Sequence, residues 1–207
     1  MIKFIKWVIQ NRNKIIALFG HLRYAITVFP GIVYKPKGYK VKGKVTQTIM
    51  DNIKPGDILI RGYDDYISSR LIGKWSHTGI YVGNNTVIHA VGAGVVKENI
   101  IDFCRTDRVS VQRPHILNKK EIKKAIVVAH SLLGKPYDFN FDFNDPEEYS
   151  CTELVYKCFE HVKDKLEMKK KIKSFVGGLI KKTVIEPKDF FIFKFGHIIV
   201  KKEVEGI

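Results

Sequence analysis

An α+β fold, with an antiparallel sheet packed against helices, is what three features of the sequence predict. Apolar runs of strand character, 78–82 and 86–90, flank the tight turn Gly83-Asn84-Asn85. Residues 119–133 place Ile122, Ala125, Ile126, Val128, Ala129 and Leu132 at helical spacing. Ser150-Cys151-Thr152-Glu153 has the form of a capping box ahead of the apolar Leu154, Val155 and Phe159, which marks a second helix start. With 207 residues, 45% of them hydrophobic, the chain is long enough to bury one proper core.

Taken in order, residues 1–29 mix Ile2, Phe4, Trp7 and Ile15 with Lys3, Lys6, Arg12 and Lys14. No apolar run there reaches the roughly 18–20 residues of a spanning helix, and no small-residue cleavage site follows a clean apolar stretch. The segment reads as a basic amphipathic helix, lying in a membrane interface or packed on the domain's own surface. Pro30-Gly31 and Pro36-Lys37-Gly38 end it, so residues 1–48 are expected to be helix and irregular linker, and residues 49–207 the globular domain. Lys54-Pro55-Gly56-Asp57 is a turn leading into the strand Ile58-Leu59-Ile60. Residues 66–74 read as a short helix or loop. The hairpin that follows brings His77 and His89 onto neighbouring strands. After the turn Gly92-Ala93-Gly94, residues 95–97 and 109–113 continue an antiparallel meander. The helix over 119–133 stops at Gly134, and the lysine-rich segment to about Lys173 is expected to extend or follow the helix that begins at Cys151.

The net charge of +15 biases the chain toward anionic partners such as lipid headgroups, cell-wall polymer or nucleic acid without choosing among them, an anionic membrane surface being one such partner. Lysine runs over 35–44, 119–124, 163–173 and 181–202 read as solvated basic surface. With no nucleic-acid recognition motif, no nucleic-acid partner is expected. Three cysteines without paired spacing argue against a disulfide framework and for a reducing compartment, in the cytoplasm or at a membrane periphery. The absence of C-x-x-C and H-E-x-x-H leads us to expect no metal and no cofactor.

A cysteine in the first turn of a helix sits among unpaired N–H groups and the positive end of the helix dipole, which favour thiolate over thiol. Cys151 is that cysteine and the expected nucleophile. Its proton needs a base, and the base needs an orienting partner on its other ring nitrogen. His77 and His89 fit those roles across the hairpin. The Cys151 N–H is one oxyanion donor. Tyr63, Asp64, Trp75, Ser76 and Tyr137 are candidates to line the substrate cleft. Cys158, two turns further along, reads as core, and Cys104 is a second candidate nucleophile.

Four stretches resemble the circularly permuted NlpC-type, papain-like cysteine hydrolases, the YiiX/YebB-like group in particular. They are Lys54-Pro55-Gly56-Asp57-Ile58-Leu59, Trp75-Ser76-His77-Thr78-Gly79-Ile80-Tyr81-Val82-Gly83, Leu133-Gly134-Lys135-Pro136-Tyr137-Asp138 and Tyr149-Ser150-Cys151-Thr152-Glu153-Leu154-Val155. A late Pro187-Lys188-Asp189-Phe190 looks like the closing segment. Histidine ahead of cysteine is the permuted order. The resemblance implies a papain-like sheet-on-helix fold with Cys151 and His77 as the catalytic pair. YiiX-like relatives often carry glutamate where this chain has His89, and histidine there looks more like ordinary NlpC peptidases and lecithin:retinol acyltransferase-like enzymes. Three activities follow as expectations. The first is hydrolysis of an amide in a cell-wall-type or related peptide. The second is acyl transfer or phospholipase action on an acyl lipid at a membrane surface. The third is an idle module that binds an anionic ligand.

Overall fold

The computed structural model of the chain describes residues 26–28, 31–33, 39–64, 73–140, 143, 145, 147–175 and 180–200. In chain order these form β1 (Ile26–Val28), β2 (Gly31–Val33), α1 (Gly43–Asn52), β3 (Ile58–Gly62), β4 (His77–Gly83), β5 (Thr86–Val91) and β6 (Gly94–Asn99). There follow α2 (Ile100–Phe103), β7 (Arg108–Arg113), α3 (Lys119–Ser131), α4 (Cys151–Phe159), β8 (Lys171–Phe175), β9 (Ile180–Val184) and β10 (Gly196–Val200). Single 3₁₀ turns occupy Glu160–Val162 and Pro187–Phe191. β1 with β2, and β8 with β9, are separate antiparallel hairpins.

The main sheet is antiparallel throughout, in the order β10-β7-β3-β4-β5-β6. The expected meander is its β3-to-β6 half. β7 then returns to the far side of β3 instead of extending the meander beyond β6, and β10 closes that edge. Every residue of β3 is buried because both faces of the sheet are covered. Ile58, Ile60, Ile80 and Ile88 face α3 and α4, where they meet Ala125, Ala129, Leu154, Val155 and Phe159. Leu59, Tyr81, Val87, Val109 and Val111 alternate to the other face and meet Ile49 of α1 with Ile100 and Phe103 of α2.

Turn chemistry sets the register. Asn84 and Asn85, with φ of 50° and 55°, make the β4–β5 turn, for which asparagine is among the few tolerant residues. In the Lys-Pro-Gly-Asp turn, Asp57 accepts the Lys54 N–H at 2.8 Å and takes a two-pronged bond from Arg113 of β7, Nε at 2.8 Å and a terminal nitrogen at 2.6 Å. The turn is thereby bolted to β7, four strands on in sequence but the neighbour of β3 in the sheet.

Three expectations change. The linker assigned to residues 1–48 contains structure: α1 spans Gly43–Asn52, so a boundary at 48/49 would cut a helix. Its apolar spacing is thin, with Val45 and Ile49 on one face among polar neighbours, but Ile49 is fully buried. Of the helix expected through residue 29, Ile26–Val28 is a strand and residues 1–25 lie outside the described residues, as does most of the 66–74 segment. The lysine-rich tract to Lys173 is not helical. Beyond Val162 it turns and enters β8, where Lys171 pairs with Glu186 and Asp189 at 2.7 Å each and Lys173 pairs with Glu186. These lysines are committed to carboxylates of the closing segment, which draw the chain into an extended hairpin against it.

Candidate active site

α4 begins where the sequence places it. Ser150 is the N-cap: its Oγ accepts the Glu153 N–H at 3.4 Å, and Glu153 returns an acceptor to the Ser150 N–H at 2.7 Å. Cys151 is therefore the first helical residue, in the turn where N–H groups lack intrahelical acceptors. Its side chain is buried, and burial pushes the thiol up to about 11, against backbone N–H groups of Thr78 and Thr152 that donate toward Sγ. Desolvation outweighs the helix start, so the resting group is a thiol and its proton has to be removed during attack. Glu153 is also buried, and burial, with the charge of Asp138 beside it, raises its carboxyl to about 7.

The Thr78 peptide that contacts the thiol is the one that follows His77, the first residue of β4. His77 Nε2 lies 2.7 Å from Nδ1 of His89 on β5, with the rings edge to face at 5.0 Å. Gly79 makes that approach feasible. A Cβ there would stand 2.8 Å from Val87 Cγ1 and 3.0 Å from His89 Cβ. Phe103 of α2 backs both imidazoles, at 5.9 Å and 5.5 Å. Burial, followed by the nearby Arg61 guanidinium, pulls His89 down to about 3, so that ring is neutral. Beyond it, His89 Nε2 is 3.4 Å from Glu98 Oε2, which in turn accepts from Arg61 at 3.0 Å. Arg61 is the cross-strand neighbour of His77, lies 4.2 Å over the Phe103 ring and donates to the Phe103 carbonyl at 3.2 Å.

The predicted cleft residues divide. Burial raises the Tyr137 hydroxyl well above the usual range, with Cys151 the largest of the charge influences on it. Tyr137 also lines a cleft of about 390 Å³ with Gly92, Ala93, Phe139, Asn140 and Glu148. Trp75 packs on Phe191 at 5.0 Å and belongs to the core's edge. Ser76 is half-buried and donates its N–H to the Arg61 carbonyl at 3.1 Å. Asp64 is bound to Arg108 and Lys40 at 2.6 Å each, a tie between β7 and the chain ahead of α1. Tyr63 is half-buried near Tyr39, ring centres 6.2 Å apart. Of the other thiols, Cys158 is wholly buried in the α4 core, and burial pushes Cys104 up to about 12.

Sequence reasoning did not find Arg61, Glu98 or Asp138. A signal for Glu98 existed. The turn at Gly92-Ala93 pairs Val91 with Gly94 and hence His89 with Val96, which sets Glu98 on the diagonal from His89. Arg61 carries no such signal, because β3 and β6 are separated by two strands in the sheet.

A family model described as permuted papain-like amidase enzyme, YaeF/YiiX, C92 family, matches residues 52–191, about two thirds of the chain. No curated protein gives a significant match. Among solved structures, the crystal structure of metalloprotein YiiX from Escherichia coli O157:H7 is 22% identical. It aligns with a TM-score of 0.59 over 72% of this chain and 97% of that one, and it shares the fold. Among the described residues no three His, Cys, Asp or Glu side chains converge as metal ligands.

Proposed function

The chain belongs to the permuted papain-like amidase family, YaeF/YiiX, C92, and from that we propose that it hydrolyses an amide bond of a peptide-like substrate, with Cys151 as nucleophile, His77 as base and His89 as the partner that orients His77. The observation that carries this reading is the 2.7 Å contact between the two imidazoles, on the strand whose next peptide touches the thiol of a helix-start cysteine. Because Nε2 of His77 is engaged by His89, the chemistry falls to Nδ1. That nitrogen takes the Cys151 proton as sulfur attacks the carbonyl carbon, and the oxyanion develops against the N–H of Cys151. His77 returns the proton to the leaving amine as the carbon–nitrogen bond breaks, leaving a thioester on Cys151. Water, giving a proton to His77, then attacks the thioester and releases a carboxylic acid and the thiol.

Tyr137, which feels the Cys151 group and also lines the cleft with Gly92, Ala93 and Phe139, makes that cleft the candidate place for the acyl side of the substrate. Aromatic walls and an open mouth suit a peptide side chain. The test is turnover of wild type and Cys151→Ala on a panel of peptide amides and on phospholipid vesicles, with intact-mass trapping of the acyl-enzyme. Amide cleavage lost in the variant, with an added acyl mass on Cys151 in wild type, is the expected result. Lipid turnover with a fatty-acyl mass on Cys151 would replace the peptide substrate by an acyl lipid, and turnover surviving in Cys151→Ala would remove the nucleophile.

A further inference from the structure

We propose that Glu98, held by Arg61, is a positioning residue of this site: it selects which nitrogen of His89 carries the proton and so leaves Nδ1 of His77 bare to act as base. The inference rests on the assignment of His77 as base and extends it outward by two residues.

Four side chains, Arg61, Glu98, His89 and His77, form a line along which each proton is assigned by its neighbour. Glu98 Oε2 is an acceptor, and it already receives the Arg61 guanidinium at 3.0 Å. The nitrogen of His89 that faces it, Nε2 at 3.4 Å, is therefore the one that bears hydrogen. A neutral imidazole has a single N–H, so Nδ1 of His89 is an acceptor. The 2.7 Å contact between that atom and His77 Nε2 then requires His77 to donate from Nε2. A neutral His77 that donates there has its lone pair on Nδ1, the nitrogen the thiol needs. Reversing the first link reverses all of them: a His89 protonated on Nδ1 would force His77 to present a lone pair inward and an N–H outward, where it could accept nothing from Cys151.

Burial, with the Arg61 charge second to it, supplies the other condition, that His89 holds one proton and not two. A doubly protonated His89 would donate from both nitrogens and break the same contact. Among the described residues, His77 of β4 and Glu98 of β6 contact the His89 ring and Arg61 of β3 is the charge that acts on it, while Cys104 after α2 and Tyr63 feel the same Arg61 and Glu98 charges. Among them Arg61 is the fixed cation and Glu98 the only carboxylate. Once His77 gains the thiol proton, the Glu98 charge offsets that of Arg61, which otherwise stands opposite the new imidazolium on the neighbouring strand.

Two measurements test the proposal, and neither needs the substrate. The first is the rate of Cys151 alkylation by iodoacetamide against pH, read by intact mass in wild type, Glu98→Gln and His77→Ala. Glutamine can present His89 with an N–H as well as an oxygen, so the proton on Nε2 is no longer dictated, and it leaves Arg61 uncompensated; alkylation near pH 7 should fall roughly three- to tenfold, a shift of up to one pKa unit in the pair. The deficit should narrow toward pH 10, where hydroxide removes the thiol proton unaided. A Glu98→Gln rate equal to wild type at every pH, or lowered equally at every pH as a structural defect would lower it, overturns the proposal. His77→Ala alkylating like wild type overturns the base assignment itself. A His77 effect without a Glu98 effect overturns this inference alone. The second measurement uses the unaltered protein, labelled with ¹⁵N in its histidine rings. Long-range proton–nitrogen correlation at neutral pH should find His89 with hydrogen on Nε2 and a bare Nδ1. Hydrogen on Nδ1, or a doubly protonated His89, overturns the proposal.

Discussion

Glu153 joins folding to the site through a single carboxyl. It caps the helix that presents Cys151, yet burial and Asp138 hold its pKa at about 7 against an ordinary 4.5. A carboxyl raised on folding takes up a proton as the chain folds. Its contribution to stability is full below pH 4.5 and is lost as pH rises through 7. Wild type should therefore lose about 3 kcal/mol relative to Glu153→Gln between pH 4.5 and 8, since the amide has no proton to lose and still offers an oxygen to the Ser150 N–H. Thermal melts of both proteins at the two pH values check this, and parallel losses would place the titrating group elsewhere. At Ser150 the expectation is simpler. Ser150→Ala removes the cap and should cost about 1 kcal/mol, read as a drop in denaturant midpoint.

At the scale of elements, the β4–β5 pair is what aligns the two histidines, and its tightness depends on Gly79. The nearest atoms to a Cβ at that position are Val87 Cγ1, His89 Cβ and the Ile88 carbonyl, all within 3.1 Å and all in the middle of β5. Gly79→Ala should push β5 away from β4, costing about 1–3 kcal/mol of overpacking. The same displacement should lower the neutral-pH alkylation rate of Cys151, because the His77–His89 contact opens. A variant destabilised to that degree with unchanged alkylation would mean that the strain is relieved away from His89. α4 is the complementary element. Its apolar face is seated in the cluster of Ile58, Ile60, Ile80 and Ile88, so the cysteine is aimed by packing and the cap together.

Across the whole molecule, the last described segment completes a core laid down by β3, β4 and β5. Phe190, Phe193 and Phe195 join the cluster under α4, and β10 pairs with β7 at the sheet edge. Phe190 is fully buried, and Phe190→Ala should cost about 3–5 kcal/mol in denaturant unfolding while leaving the signature of the sheet in circular dichroism. A loss under 1 kcal/mol would mean that the closing segment is not part of the cooperative unit. The lysines of β8 hold the same segment through Glu186, whose carboxyl is lowered to about 2 by Lys171 and Lys173 in spite of its burial. The charge of +15 is thus only partly a free surface. No helix among the described residues is long and apolar enough to cross a membrane.

What local patterning could reveal, it revealed: the β4–β5 hairpin, α3 up to Gly134, and a capped helix start at Cys151 are written in neighbouring residues, since turn chemistry, periodicity and capping act over a few positions. His77 and His89 were legible as a pair for that reason, one hairpin joining them. The return of β7 to β3, the burial that keeps Cys151 a thiol, and the Arg61–Glu98 link behind His89 were not legible. Each depends on strands that meet across the sheet and on how much water the layers exclude, and neither quantity is carried by any short stretch of chain.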